Sequence, residues 1–117
     1  MRVSQQKINS TLKKQINFTL AQTFVDIKSP EEAGIFLSSF FTNAEVEAFS
    51  KRLAVGYWLK KGRSYTNIKE NLKVSSATIA AVQNMIKHPG FELALKKMEA
   101  EEWANQWSDK IKKFVGK

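Results

Sequence analysis

The 117-residue sequence has no cysteine. That excludes a disulfide framework and any thiolate metal site. It has one histidine, His88, so no second imidazole is available for zinc. A Ser–His–acid triad would have to use His88, which stands beside Pro89 at a predicted helix end and reads there as a terminal cation or loop residue. No apolar run reaches the roughly 18–20 residues that span a bilayer. The opening MRVSQQKINS leads into a polar amphipathic segment and not into the apolar core of a secretion signal. There is no alternating apolar run and no Asn-Gly or Asp-Gly turn, so strands are not expected. The five glycines form no phosphate loop, and Glu101-Glu102 read as a solvated face before an acid–base pair. These absences together predict a cytoplasmic protein that is not an enzyme and holds no metal and no cofactor.

What is present is apolar and basic. Hydrophobic residues make up 43% and aromatics 11% of the chain, too much for disorder. The length suits one domain with one core. The net charge of +8 is uneven. Residues 1–30 carry five Lys/Arg against one acid, and residues 31–50 carry four Glu and no base. Residues 51–90 carry eight Lys/Arg against one Glu, and residues 91–117 are close to balanced. A basic block of this kind neutralises phosphate in a salt-dependent, sequence-independent way. It is also what a merely solvated face looks like.

Helical signals run from end to end. Ile8, Leu12, Ile16, Leu20 and Phe24 recur every four residues and predict a helix over 3–26. Ser29-Pro30-Glu31-Glu32 is a capping box with proline at the first helical position. The run AGIFLSSFF that follows should bury Ile35, Phe36, Phe40 and Leu37. Thr42-Asn43-Ala44-Glu45 is a second box, opening a helix to about Lys61 with Val46, Phe49, Leu53 and Tyr57 on one side. Lys60 and Lys61 suit its carboxyl end, and Gly62 is its left-handed stop. Ser64 caps a short helix over 65–72, Ser75 or Ser76 caps the next over about 76–87, and Pro89-Gly90 ends it. A last helix from about Phe91 to Phe114 carries Trp103, Trp107, Ile111 and Phe114 on one stripe. Two Trp at helical spacing are read as core or interface before ligand cage. The fold class is all-α with about six helices.

Residues 65–84, YTNIKENLKVSSATIAAVQN, are laid out as a helix-turn-helix. Ile68 and Leu72 lie one turn apart, Val74 falls in the turn, and Ile79 and Val82 lie three apart on the second helix. This spacing packs two helices around a turn of about 3–4 residues and leaves the outer face of the second available to a DNA groove. A helical hairpin in a structural bundle shows the same apolar pattern. The two long flanking helices carry more apolar side chains than the centre can cover, which predicts a homodimer. A monomeric bundle is the alternative.

Residues 35–87 resemble the tryptophan-repressor superfamily, and most closely its small repressor-like branch called YerC/YecD-like. The resemblance rests on an apolar run, then Thr42 with Glu45, Ala48-Phe49-Ser50-Lys51-Arg52-Leu53, Leu59-Lys60-Lys61-Gly62, Ser64-Tyr65 and Ser76-Ala77-Thr78-Ile79. It implies an intertwined all-α dimer whose helix-turn-helix docks in the major groove. It also implies one Trp-repressor-like domain over 1–117, with a core at 30–90 and dimerisation helices at 3–26 and 91–115. In the tryptophan sensor two Arg sandwich the indole. Arg52 occupies the first of these positions, but the second falls on Ala81, which offers no cationic plane. Val82 replaces a Gly whose space the indole needs. The resemblance thus argues against tryptophan as corepressor, and Arg52 is left to pair with an acid such as Glu45 or to bind phosphate.

The second helix of the motif is plain. Ser75, Ser76, Ala77, Thr78, Ala80, Ala81, Gln83 and Asn84 offer hydroxyls, amides and methyls, with no Arg to grip guanine. Arg63, Lys69, Lys73 and Lys87 flank it as phosphate ligands. The expected function is a repressor-like regulator of double-stranded DNA. The alternative is a dimeric protein-interaction or RNA-associated module that keeps the fold without sequence readout.

Overall fold

The computed structural model describes the backbone of residues 5–115 and the side chains of residues 5–102. Among the described residues six helices follow one another: α1 Ser10–Asp26, α2 Pro30–Phe40, α3 Asn43–Lys60, α4 Tyr65–Leu72, α5 Ser76–Met85 and α6 Pro89–Val115. No strand occurs among the described residues. The chain forms two compact units that divide between Asn43 and Ala44.

In the first unit, α1 starts later than its apolar stripe suggests. Asn9 is the cap, and its side chain accepts from the backbone N–H of Thr11 at 2.8 Å and of Leu12 at 3.2 Å. Asparagine is among the best N-caps, and here it overrides the periodicity that precedes it. Ser29 is extended, as a residue before proline must be, and caps α2 by accepting from Glu32 N–H at 3.1 Å. Glu32 in return accepts from the Lys28 N–H at 3.0 Å.

Phe36 is the hub of this unit. Its ring meets Phe24 edge-on at 5.4 Å, stacks on Phe40 at 4.9 Å and meets Phe41 edge-on at 5.9 Å. The expectation that Ile35, Leu37 and Phe40 are buried with it is wrong for the single chain: they are 68%, 40% and 60% exposed. The apolar run passes right round an eleven-residue helix, and one neighbouring helix covers only one side of it. No residue of α1 or α2 is buried, and Leu12, Ile16, Leu20 and Phe24 lie open along α1.

The second unit holds the core: Val55 from α3, Ile68 from α4, Ile79 and Val82 from α5, and Leu95 from α6. Trp58, Leu59, Leu72, Val74, Ile86 and Phe91 pack around it. On α3 the expected side is corrected. Phe49 is exposed and Val46, Leu53 and Tyr57 are half-buried, while the fully covered position is Val55, a stripe that counting by fours from Val46 misses. Gly56 beside it lets α6 come close. A Cβ there would lie 2.7 Å from Phe91 Cζ and 3.2 Å from Ile86 Cγ2, inside van der Waals contact.

The stops and starts around α4 and α5 follow the sequence. Gly62 takes φ +86°. Its N–H donates to the Leu59 carbonyl at 3.0 Å, and the Arg63 N–H donates to that of Trp58 at 3.1 Å. That pair of bonds is the Schellman arrangement. Ser64 caps α4 by accepting from Asn67 N–H, and Ser75, not Ser76, caps α5 by accepting from Thr78 N–H, both at 3.1 Å. Pro89 does not separate α5 from α6 but is the first residue of α6, where its missing N–H costs nothing.

Candidate nucleic-acid interface

The helix-turn-helix comprises α4, a turn at 73–75 and α5. Lys73 closes α4 in the left-handed region at φ 56° and ψ 51°, turning the chain toward Ser75. Ile68, Ile79 and Val82 knit both helices to α3 through the core, so the orientation of α5 is set from beneath. At 3.6 residues per turn, Ala77, Ala80, Ala81 and Asn84 then fall on the side of α5 away from Ile79 and Val82. All four are exposed. Three methyl-sized side chains there let a groove wall come close to the helix.

Every site residue expected from the sequence is exposed: Arg63, Lys69 and Lys73 around α4, and Ser75, Ser76, Ala77, Thr78, Ala80, Gln83 and Lys87 along α5 and just beyond it. Not all are equally available. The Ser75 and Thr78 hydroxyls lie 3.0 Å apart within the cap. The Tyr65 hydroxyl bonds the Gln83 side-chain carbonyl, tying the start of α4 to the outer part of α5. Tyr65, Trp58 and Asn67 carry no local signal of a functional role in the sequence. The Arg63 guanidinium lies over the Trp58 ring, Cζ 4.0 Å from its centroid, and its Nη1 donates to Asn67 Oδ1 at 3.3 Å.

Three lysines of the basic block are already paired, Lys51 with Glu47 one turn before it at 3.3 Å and two more with α6. Lys60 Nζ lies 3.0 Å from Glu99 and Lys61 Nζ 2.9 Å from Glu102, joining the end of α3 to α6. Hydrogen bonding from Tyr57 and then Lys61 holds the Glu102 carboxyl below the usual carboxylate range, and hydrogen bonding to Glu102 pushes Lys61 up. Hydrogen bonding toward Glu102, then burial, also raises Tyr57, although its buried hydroxyl falls short of a full hydrogen bond. The lowered acid contributes stability that is lost as pH falls through its folded pKa. The raised lysine contributes stability that is lost as pH rises through its own. The Lys61–Glu102 pair is therefore intact around neutrality, and with both lysines bound to α6, Lys60 and Lys61 are poorer candidates for phosphate than Lys69 and Lys73, which have no ion-pair partner among the described residues.

The positions equivalent to the indole sandwich are also placed. Arg52 is exposed with its guanidinium 5.5 Å over the Phe49 ring, Ala81 is exposed, and Val82 is locked in the core. Among the described residues no three His, Cys, Asp or Glu gather as a metal site. No described helix is long and apolar enough to cross a membrane.

This order of helices, with its reading head between two longer elements, has a match among known proteins. The family model described as Trp repressor protein matches residues 14–99. The chain belongs to the Trp repressor family. It is 27% identical over 85 residues to the uncharacterized protein YerC of Bacillus subtilis (strain 168), covering 71% of this chain and 82% of that protein. It is also similar to the crystal structure of a TrpR-like protein from Eubacterium eligens ATCC 27750. There the TM-score is 0.69 and the identity 28%, over 78% of this chain and 96% of that one. The Trp repressor family is one of helix-turn-helix DNA-binding regulators and not of enzymes, and the all-α fold found here is the family's.

Proposed function

We propose that this Trp repressor family member is a cytoplasmic transcriptional regulator that docks α5 in the major groove of double-stranded DNA. The observation that carries the reading is the division of α5 into two faces. Ile79 and Val82 are fully buried, the opposite, small-residue face stands open, and Lys69, Lys73 and Lys87 on the neighbouring segments are exposed. Arg63, Lys69, Lys73 and Lys87 contact phosphates and set affinity. Ala77, Ala80, Ala81 and Asn84 face base edges, Ser76, Thr78 and Gln83 flank them, and Ser75 holds the cap that presents them. With no Arg on α5, readout rests on methyl, hydroxyl and water-mediated contacts, so affinity is modest and mostly electrostatic. Titrating random duplex and duplex from the protein's own promoter at two salt concentrations tests this. A steep salt slope with a preference for the promoter supports the regulator. No binding at low salt leaves a protein-interaction or RNA-associated module.

The same reading makes the protein a homodimer through α1, α2 and α6, which presents two reading heads roughly 34–36 Å apart. The exposed Leu12, Ile16, Leu20, Ile35 and Phe40 motivate it. The Trp103, Trp107, Ile111 and Phe114 stripe expected to join them lies outside the described side chains. Light scattering at tens of micromolar is expected to give the mass of two chains; a stable monomer there contradicts the dimer.

Tryptophan is not its corepressor. Ala81 supplies no cation, and Val82, which stands where the tryptophan sensor has a Gly, carries a side chain fixed in the core and not the empty space an indole needs. Calorimetry with L-tryptophan is expected to show no binding tighter than millimolar, about −4 kcal/mol. A micromolar constant contradicts this.

A further inference from the structure

Arg63 differs from the other exposed cations of the reading head. Its backbone is fixed by the bond from its N–H to the Trp58 carbonyl and by the glycine turn before it. Its guanidinium is fixed by the Trp58 ring at 4.0 Å and by Asn67 at 3.3 Å. Trp58 is itself half-buried and packed against the core, so the platform beneath the guanidinium is anchored. Asn67 is anchored through its own N–H, which donates to the Ser64 cap.

We propose that Trp58 and Asn67 are positioning residues that hold Arg63 as a pre-aimed phosphate contact, fixing the register of α4 on the duplex backbone. This rests on the DNA-binding reading above. An arginine gripping phosphate ordinarily gives up side-chain freedom at the moment of binding. Here that freedom is already lost on folding. The indole covers one face of the guanidinium and leaves its edge free, where the in-plane donors not used by Asn67 keep the fork that a two-pronged phosphate contact needs. Lysine at 63 would keep the charge and lose both the stack and the fork. A cation that merely shields Trp58 from water would not show that difference.

The experiment uses the full chain and a labelled random duplex at several salt concentrations. Arg63→Lys is expected to weaken binding about tenfold with the salt slope unchanged, and Arg63→Ala to weaken it further with the slope flatter by about one. Asn67→Ala is expected to weaken binding about threefold, a modest share of the effect of losing the pre-aimed arginine. Trp58→Phe, which keeps an aromatic face, is expected to stay within about threefold of the parent, and Trp58→Leu to resemble Arg63→Lys. Arg63 and Asn67 are exposed, so their variants decide the matter even where a change at Trp58 perturbs folding. Arg63→Lys binding like the parent, while the parent binds, overturns the positioning role alone. A parent that binds no duplex overturns the DNA reading and this inference together.

Discussion

Ala77→Glu is expected to lower affinity for every duplex at least about 100-fold, since like charges forced together in an interface cost several kcal/mol. The folded chain should be unaffected. Ala77 is exposed in the first turn of α5, two residues after the Ser75 cap. An acid there interacts favourably with the helix dipole, by about 0.3–1 kcal/mol. The substitution thus favours the helix while placing a carboxylate where the helix must enter a field of phosphates. Titration of labelled duplex, paired with a thermal melt by circular dichroism, separates the two effects. Parent-like binding by a folded Ala77→Glu chain would mean that this face of α5 does not meet DNA.

Ile79→Ala, two residues further on, is expected to do the reverse. Ile79 is fully buried against Val55, Ile68 and Val82. Truncating a buried isoleucine costs about 2–5 kcal/mol, from lost burial and from the cavity left behind. With five buried apolar side chains in the core among the described residues, little can move in to fill it. For a unit of this size the midpoint of thermal unfolding should fall by roughly 10–30 °C. Duplex binding below that midpoint should stay within a few-fold of the parent, because the outer face is untouched. A melt unchanged from the parent would show that the core is not organised around this residue.

The reading head was largely legible in the sequence, because its signals are local. Ser64, Gly62 and the Ser75–Ser76 pair mark helix ends by their own side-chain and backbone chemistry, and Ile68, Ile79 and Val82 lie at helical spacing. What escaped depends on partners distant in sequence. Gly56 reads as a weak point in a helix until Phe91 is seen against it. Lys60 and Lys61 count as part of a basic block until Glu99 and Glu102 are found beside them. Tyr65 and Gln83 are 18 residues apart, and Arg63 meets Trp58 across a helix stop where periodicity carries no information. The aromatic run in α2 showed that Ile35 and Phe40 are apolar, but not what covers them, and within one chain they remain exposed.

The most direct test of DNA binding by the helix-turn-helix is the salt dependence of duplex affinity with Lys69 and Lys73 discharged together. Lys69→Gln keeps a long side chain in α4, and Lys73→Asn suits the left-handed φ of 56° better than most residues. If both lysines contact phosphate, the double variant should bind all duplexes more weakly by a similar factor. Its plot of log affinity against log salt should be flatter by about two, one for each lost contact. A folded double variant with the parent's affinity and the parent's slope would contradict docking through this surface.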